Sequence, residues 1–157
     1  MTMLLTKMLD TLYKAKACVF RPVPEKDLIE LRMIMTKKGL PSIPADYIQF
    51  LTLTDGLIYN GLHFFGVKEH EREVSNYTYP NLLSVNEDFQ SCNRRKDILI
   101  VGEKDEDLIV YRTKENIYQI MDKMDLIGDL ILPRFFDVLF FLNQELIEKQ
   151  DAAQTQK

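Results

Sequence analysis

Cysteine, histidine and clustered glycine are all scarce in this chain, and each shortage removes a class of chemistry. Cys18 and Cys92 are the only cysteines in 157 residues. They have neither a metal-type spacing nor the numbers for a disulfide framework. Each reads as a buried, inert thiol, and such sparse cysteine makes the cytoplasm the default compartment. There are two histidines. His70-Glu71-Arg72-Glu73 starts like a zinc-protease helix, but that motif needs its second histidine at position 74, where Val74 stands. His63 sits on a strand pattern with Leu62 and Phe64 facing the other way, and reads as a partly exposed strand histidine rather than a catalytic base. The six glycines are scattered at turns, so no phosphate-cradling loop and no Gly-x-Ser-x-Gly elbow occurs. Apolar runs are short and broken by charge, which leaves no membrane span.

What remains is ample material for a core. The chain is 46% hydrophobic and 10% aromatic, and one domain of this size buries about 68–70% of the surface its unfolded form exposes. The formal net charge of −4 disfavours direct nucleic-acid binding, which needs excess positive charge against phosphate, and tilts the choice of partner towards basic ones. The N-terminus carries Lys7, Asp10, Lys14 and Lys16 through and after its apolar positions, while Leu5, Met8, Leu9 and Leu12 form a helical stripe. It therefore reads as an amphipathic helix of the mature protein rather than a signal peptide.

Arg21-Pro22-Val23-Pro24 is a rigid connector. A second helix is predicted over residues 25–38, with Leu28, Leu31 and Met35 inward, Lys37 and Lys38 at its C-terminal end, and Gly39 as its stop. Residues 42–66 are the best punctuated part of the chain. Pro44 opens a helix, Tyr47, Phe50 and Leu51 share one face, and Gly56 is placed to end that helix in a left-handed conformation. Two apolar runs then flank Asn60-Gly61, a strong two-residue hairpin signal.

Residues 68–80 are polar and charged and read as a long exposed loop. A short helix is predicted over 81–90, using Leu82, Val85 and Phe89. Residues 98–102 and 108–112 read as strands joined by the solvated connector Glu103-Lys104-Asp105-Glu106-Asp107, with 117–121 as a third strand. Pro133 suits the first turn of a final helix, with Phe136, Leu139, Phe140, Asn143 and Ile147 inward and Phe135, Leu142 and Leu146 widening that face. Residues 150–157 are a polar, frayed tail. The whole is an α+β single domain over 1–149. Its central, mainly antiparallel sheet of hairpin-linked strands is wrapped by N- and C-terminal helices.

Asp105-Glu106-Asp107 lacks the alternating ligands, turn glycine and distant glutamate of a calcium loop, so it reads as a solvated hairpin tip with no metal. Arg94-Arg95-Lys96 is too short for a basic patch, and no cofactor is implied. Tyr77 and Tyr79, set in a polar loop, offer contact area of the kind found at binding hot spots. With no nucleophile motif, metal spacing or phosphate loop, the chain reads as a binding protein and not an enzyme.

Three segments stand in one order: Ile43-Pro44-x-x-Tyr47-x-x-Phe50-Leu51-x-x-x-Asp55-Gly56, then Ile98-Leu99-Ile100-Val101-Gly102-Glu103 leading through Asp105 and Asp107 into Leu108-Ile109-Val110-Tyr111, then Phe135-Phe136-Asp137-Val138-Leu139. This order resembles the SUKH superfamily of bacterial immunity proteins and a fungal cell-wall regulator. Within it the chain looks closest to the YrhA-like branch, through Phe65-Gly66 ahead of residues 81–87, and through Tyr118 and Asp122. The resemblance spans residues 40–146, so that 1–39 supply N-terminal helices and 40–149 the signature core. Asp55 stands where the pattern has asparagine, and the 103–107 tip has no glycine.

The resemblance implies a non-catalytic immunity protein that binds and neutralises a cognate polymorphic toxin, often a basic nuclease. The other role it leaves open is a scaffold or regulatory module for an endogenous protein. A monomer or weak dimer is expected. The contact residues expected are Glu69, Glu71, Glu73, Tyr77 and Tyr79 in the long loop, with Glu103, Asp105, Glu106 and Asp107 at the tip. Pro44, Tyr47, Phe50, Leu51, Asp55, Gly56, Gly66, Gly102 and Tyr111 would be structural. An unrecognised hydrolase would instead need a histidine within reach of both an acid and a nucleophile.

Overall fold

Leu5, Met8, Leu9 and Leu12 are all buried on α1 (Thr2–Lys14), as their stripe requires. The computed structural model describes residues 2–71 and 78–155. After the short strand β1 (Cys18–Val19), α2 (Glu25–Lys37) starts behind Pro24 and buries Leu28, Leu31 and Met35. Gly39 takes φ +70° beyond its end. There Leu40 N–H reaches the Met35 carbonyl at 2.9 Å and Gly39 N–H the Thr36 carbonyl at 3.1 Å, a Schellman closure. The third helix, α3 (Ala45–Leu51), also starts behind a proline, Pro44, and buries Tyr47, Phe50 and Leu51 completely.

The chain then makes β2 (Leu57–Tyr59) and β3 (Leu62–Phe64), joined by Asn60 and Gly61 at φ +47° and +82°. Both residues lie in the left-handed region that such tight hairpins demand. Two-residue strands β4 (His70–Glu71) and β5 (Thr78–Tyr79) pair with each other. Helix α4 (Leu82–Asn93) follows, capped where the Asn81 side chain accepts the Ser84 N–H. A meander of β6 (Ile98–Lys104), β7 (Asp107–Arg112), β8 (Ile117–Asp122) and β9 (Leu130–Leu132) leads into α5 (Phe135–Leu142) and α6 (Gln144–Thr155).

Among the described residues the strands form one seven-stranded antiparallel sheet in the order β1-β2-β3-β6-β7-β8-β9, with β4-β5 apart. The protein is thus α+β, and its central strand β6 is buried on both faces from Ile98 to Gly102. Phe64 and Phe135 meet edge to face at 5.0 Å, with Tyr47 and Phe50 packed on Phe135 at 5.1 and 4.8 Å. That aromatic cluster joins α3 and α5 to one face of the sheet. On α4, the Asn86 amide donates to the Ile100 carbonyl at 2.9 Å and accepts the Ile100 N–H at 2.8 Å, tying the helix to β6.

Several expectations are corrected. Gly56 does not cap α3, which ends at Thr52; its φ of +91° serves a buried turn where a Cβ would come 2.6 Å from the Phe64 carbonyl oxygen. The connector between β6 and β7 is two residues, Asp105 and Glu106, because the strands continue through Glu103, Lys104 and Asp107. The exposed loop at 68–80 carries the β4-β5 pair at its ends. The final helix breaks at Asn143, and Phe140 is exposed rather than inward, its place in the core being taken by Val138. The polar tail is helical through Thr155. Both cysteines are exposed, Cys18 on an edge strand and Cys92 in the last turn of α4.

Candidate functional site

The acidic tip is built by two stacked turns. Asp105, at φ +52°, donates its N–H to the Gly61 carbonyl at 3.3 Å, so the β6-β7 turn rests on the Asn60-Gly61 turn. Glycine follows Asn60 because that position takes φ +82°, a conformation side chains rarely adopt, whereas the nearest atom to a Cβ there is the exposed, movable Asp105 carboxylate. Asp105, Glu106 and Asp107 all stand exposed on this stiff support. Glu103 does not belong with them: it is half-buried in β6 and paired with Lys123 at 3.1 Å.

The expected contact loop divides. Glu69 and Glu71 are exposed, and Tyr79 is half-buried in β5. Glu73 and Tyr77 lie outside the described residues. Tyr79 packs its ring at 5.3 Å from His63, which also meets Phe65 at 4.5 Å. His63 stands opposite Glu103 in the β3-β6 register, so their side chains share a face. The structure therefore brings Tyr79 and Glu103 together around His63, while Asp105 and Asp107 face a different cleft. His63 is buried, not partly exposed, and burial pulls its pKa down to about 4, against the opposing effect of Glu103.

The signature residues form a second, tightly bonded unit. Asp55 is buried, and its carboxylate accepts Val67 N–H at 2.5 Å and Lys68 N–H at 3.2 Å. His70 Nε2 approaches the same carboxylate at 3.2 Å, and its ring stacks on Phe20 at 3.7 Å. Gly66 must be glycine, because a Cβ there would fall 2.5 Å from the Asp55 carbonyl oxygen. Gly102 is held likewise by the His63 carbonyl at 2.6 Å, beside a bulge that leaves Val101 as an extra residue in β6. The Val101 carbonyl accepts Phe65 N–H at 2.9 Å and the Tyr47 hydroxyl at 3.0 Å, and that hydroxyl also meets the Phe65 carbonyl. Burial raises the Tyr47 pKa well above the usual phenol range, so it remains a donor.

His70 thus has an acid partner, but among the described residues no hydroxyl or thiol is hydrogen-bonded to either histidine. Nor does any group of three His, Cys, Asp or Glu side chains among them suit a metal ion. No helix among the described residues is long and apolar enough to cross a membrane. No protein-family model matches the chain, and no curated protein matches it.

Sequence reasoning missed Asp46. Its carboxylate accepts the Tyr118 hydroxyl at 2.5 Å and the N–H of Phe135, 89 residues away, at 2.8 Å, capping α5 from α3. Burial and the Asp46 charge raise the Tyr118 pKa. Asn86 was also missed as a buried polar anchor, whereas Asn143, expected on the inward face of the final helix, is buried there. The signal of each in the sequence is only a polar residue interrupting an apolar helical face.

Proposed function

We propose that this chain is a non-catalytic binding protein that neutralises a cognate toxin by covering its surface, in the manner that the resemblance to the SUKH superfamily implies. The observation that supports this reading best is the contrast between two sets of acids. Asp55 and Asp46 are consumed in structural hydrogen bonds, whereas Asp105, Glu106 and Asp107 stand exposed on a stiff two-turn support. Exposed carboxylates on a pre-ordered tip lose little entropy on binding and steer a basic partner, such as a nuclease that grips phosphate.

The test is co-purification from the source cell followed by association kinetics with the retained protein. A basic toxin whose association slows with added salt, and slows again in a Glu106→Lys/Asp107→Lys variant, is the expected result. Retention of an endogenous, non-toxic protein instead would replace immunity with a regulatory role. Kinetics indifferent to both salt and charge reversal would remove the tip from the interface.

A further inference from the structure

A cleft of about 520 Å³ opens between the stacked turns and the corner where α5 gives way to α6. That volume falls within the roughly 300–1,000 Å³ typical of small-ligand clefts. Asp105 and Asp107 line one wall, and Phe141, Asn143 and Glu145 line the other.

Asn143 is the informative residue. It is 5% exposed, and its Nδ2 donates to the Leu139 carbonyl at 2.8 Å. Among the described residues no group donates to its Oδ1, and that oxygen is not sealed from solvent. Asn143 lines the cleft, and its solvent-reached oxygen is an acceptor that a donor group entering the cleft can use in place of water. The three carboxylates around it are acceptors too. Of the two ammonium groups present, Lys104 Nζ lies 3.4 Å from the Leu142 carbonyl at the end of α5, and Lys149 is exposed. The Phe141 ring, 43% exposed, offers an apolar and π surface beside these acceptors.

We infer that this cleft receives an arginine side chain of the partner protein. A guanidinium has five donors in a planar fork and no acceptor, the complement of three carboxylates and an amide oxygen. Its weakly hydrated plane also packs on an aromatic ring, which an ammonium does less well. The inference rests on the binding-protein reading above and specifies which side chain the partner supplies.

The test is an NMR titration of the full chain with a capped Gly-Gly-Arg-Gly-Gly peptide and with the same peptide carrying citrulline in place of arginine. The arginine peptide is expected to shift the backbone amides of Asp105, Asp107, Asn143 and Glu145, with citrulline about tenfold weaker or more, as the loss of charge-assisted hydrogen bonds predicts. An Asp107→Asn/Glu145→Gln variant changes only exposed carboxylates, so it should keep the amide spectrum elsewhere and lose the response. Asn143→Ala adds a second check on the floor of the cleft.

No shift at millimolar peptide, equal binding of citrulline, shifts confined to other residues, or a variant that responds as well as the parent would each overturn the assignment. If a co-purified basic partner is held equally by the double variant, the cleft assignment fails and the binding-protein reading stands. Absence of any partner strikes that reading itself.

Discussion

His70 Nε2 lies 2.8 Å from the Asp55 carbonyl oxygen and 3.2 Å from Oδ2 of the same residue. Both oxygens can only accept, so Nε2 carries the hydrogen, and the ring is held between these two acceptors and the face of Phe20. Asp55 in turn holds the backbone at Val67 and Lys68, while its own N–H donates to the Arg21 carbonyl at 3.2 Å. One buried residue thereby joins, through its backbone and its side chain, the connector before α2, the turn after α3 and the approach to β4.

Removing that carboxylate leaves the Val67 and Lys68 N–H groups without their acceptor, while His70 keeps the Asp55 backbone carbonyl. Asp55→Ala is expected to cost on the order of 3 kcal/mol. Asp55→Asn keeps one acceptor oxygen and should cost about 1 kcal/mol. Urea unfolding of both variants checks the order; equal losses would mean the carboxylate is not the organising group.

Gly66 and Gly39 separate close approach from backbone preference. At Gly66 a Cβ would strike the Asp55 backbone, which cannot move without breaking the turn, so Gly66→Ala should cost roughly 3 kcal/mol or more. At Gly39 nothing lies within 4 Å, and only the φ of +70° resists a side chain. Gly39→Ala should therefore cost about 1 kcal/mol. Thermal melts of the two variants would reveal a reversed ranking.

Stability should fall between pH 6.5 and about 4 because of His63. Its pKa drops from 6.5 to about 4 on folding, through burial first. Above 6.5 it is neutral in both states; below that the unfolded chain takes up a proton that the folded chain refuses until about pH 4. The full loss is on the order of 3 kcal/mol. A His63→Gln variant should show a shallower fall than the parent over this interval, measured by urea unfolding at pH 7 and pH 4.5. Parallel curves would assign the acid sensitivity elsewhere.

Cys18 and Cys92 are both exposed. The native chain is expected to react with two equivalents of a thiol reagent without denaturant, and each Cys→Ser variant with one. Reaction only after unfolding would contradict the placement of β1 and the end of α4.

Wherever the decisive interactions are local, the residues announce the structure. The α3 face at Tyr47, Phe50 and Leu51, the Asn60-Gly61 hairpin and the Gly39 stop all depend on side chains or backbone preferences within a few positions of one another. The α+β class and most of the meander follow from the same periodicities. The exposed acids at 105–107 were legible because charge without nearby partners belongs in water.

Tertiary structure alone decided the rest. The partners of Asp46 and Asn86 come from elements distant in the chain, and no local pattern records which backbone group a polar side chain will meet. Strands β1 and β9, of two and three residues, exist because longer neighbours offer them an edge to pair with. Glu103 looked like part of a solvated tip until the β3-β6 register set it beside His63 and within reach of Lys123. The cleft beneath the tip has the same origin. It is lined by the stacked turns from the middle of the chain and by residues on both sides of the break at Asn143, which only the fold brings together. Sequence determined most of the helices, the longer strands and the charged surface, because those depend on neighbours in the chain; the packing of those segments determined which polar groups were spent inside and which were left in solvent.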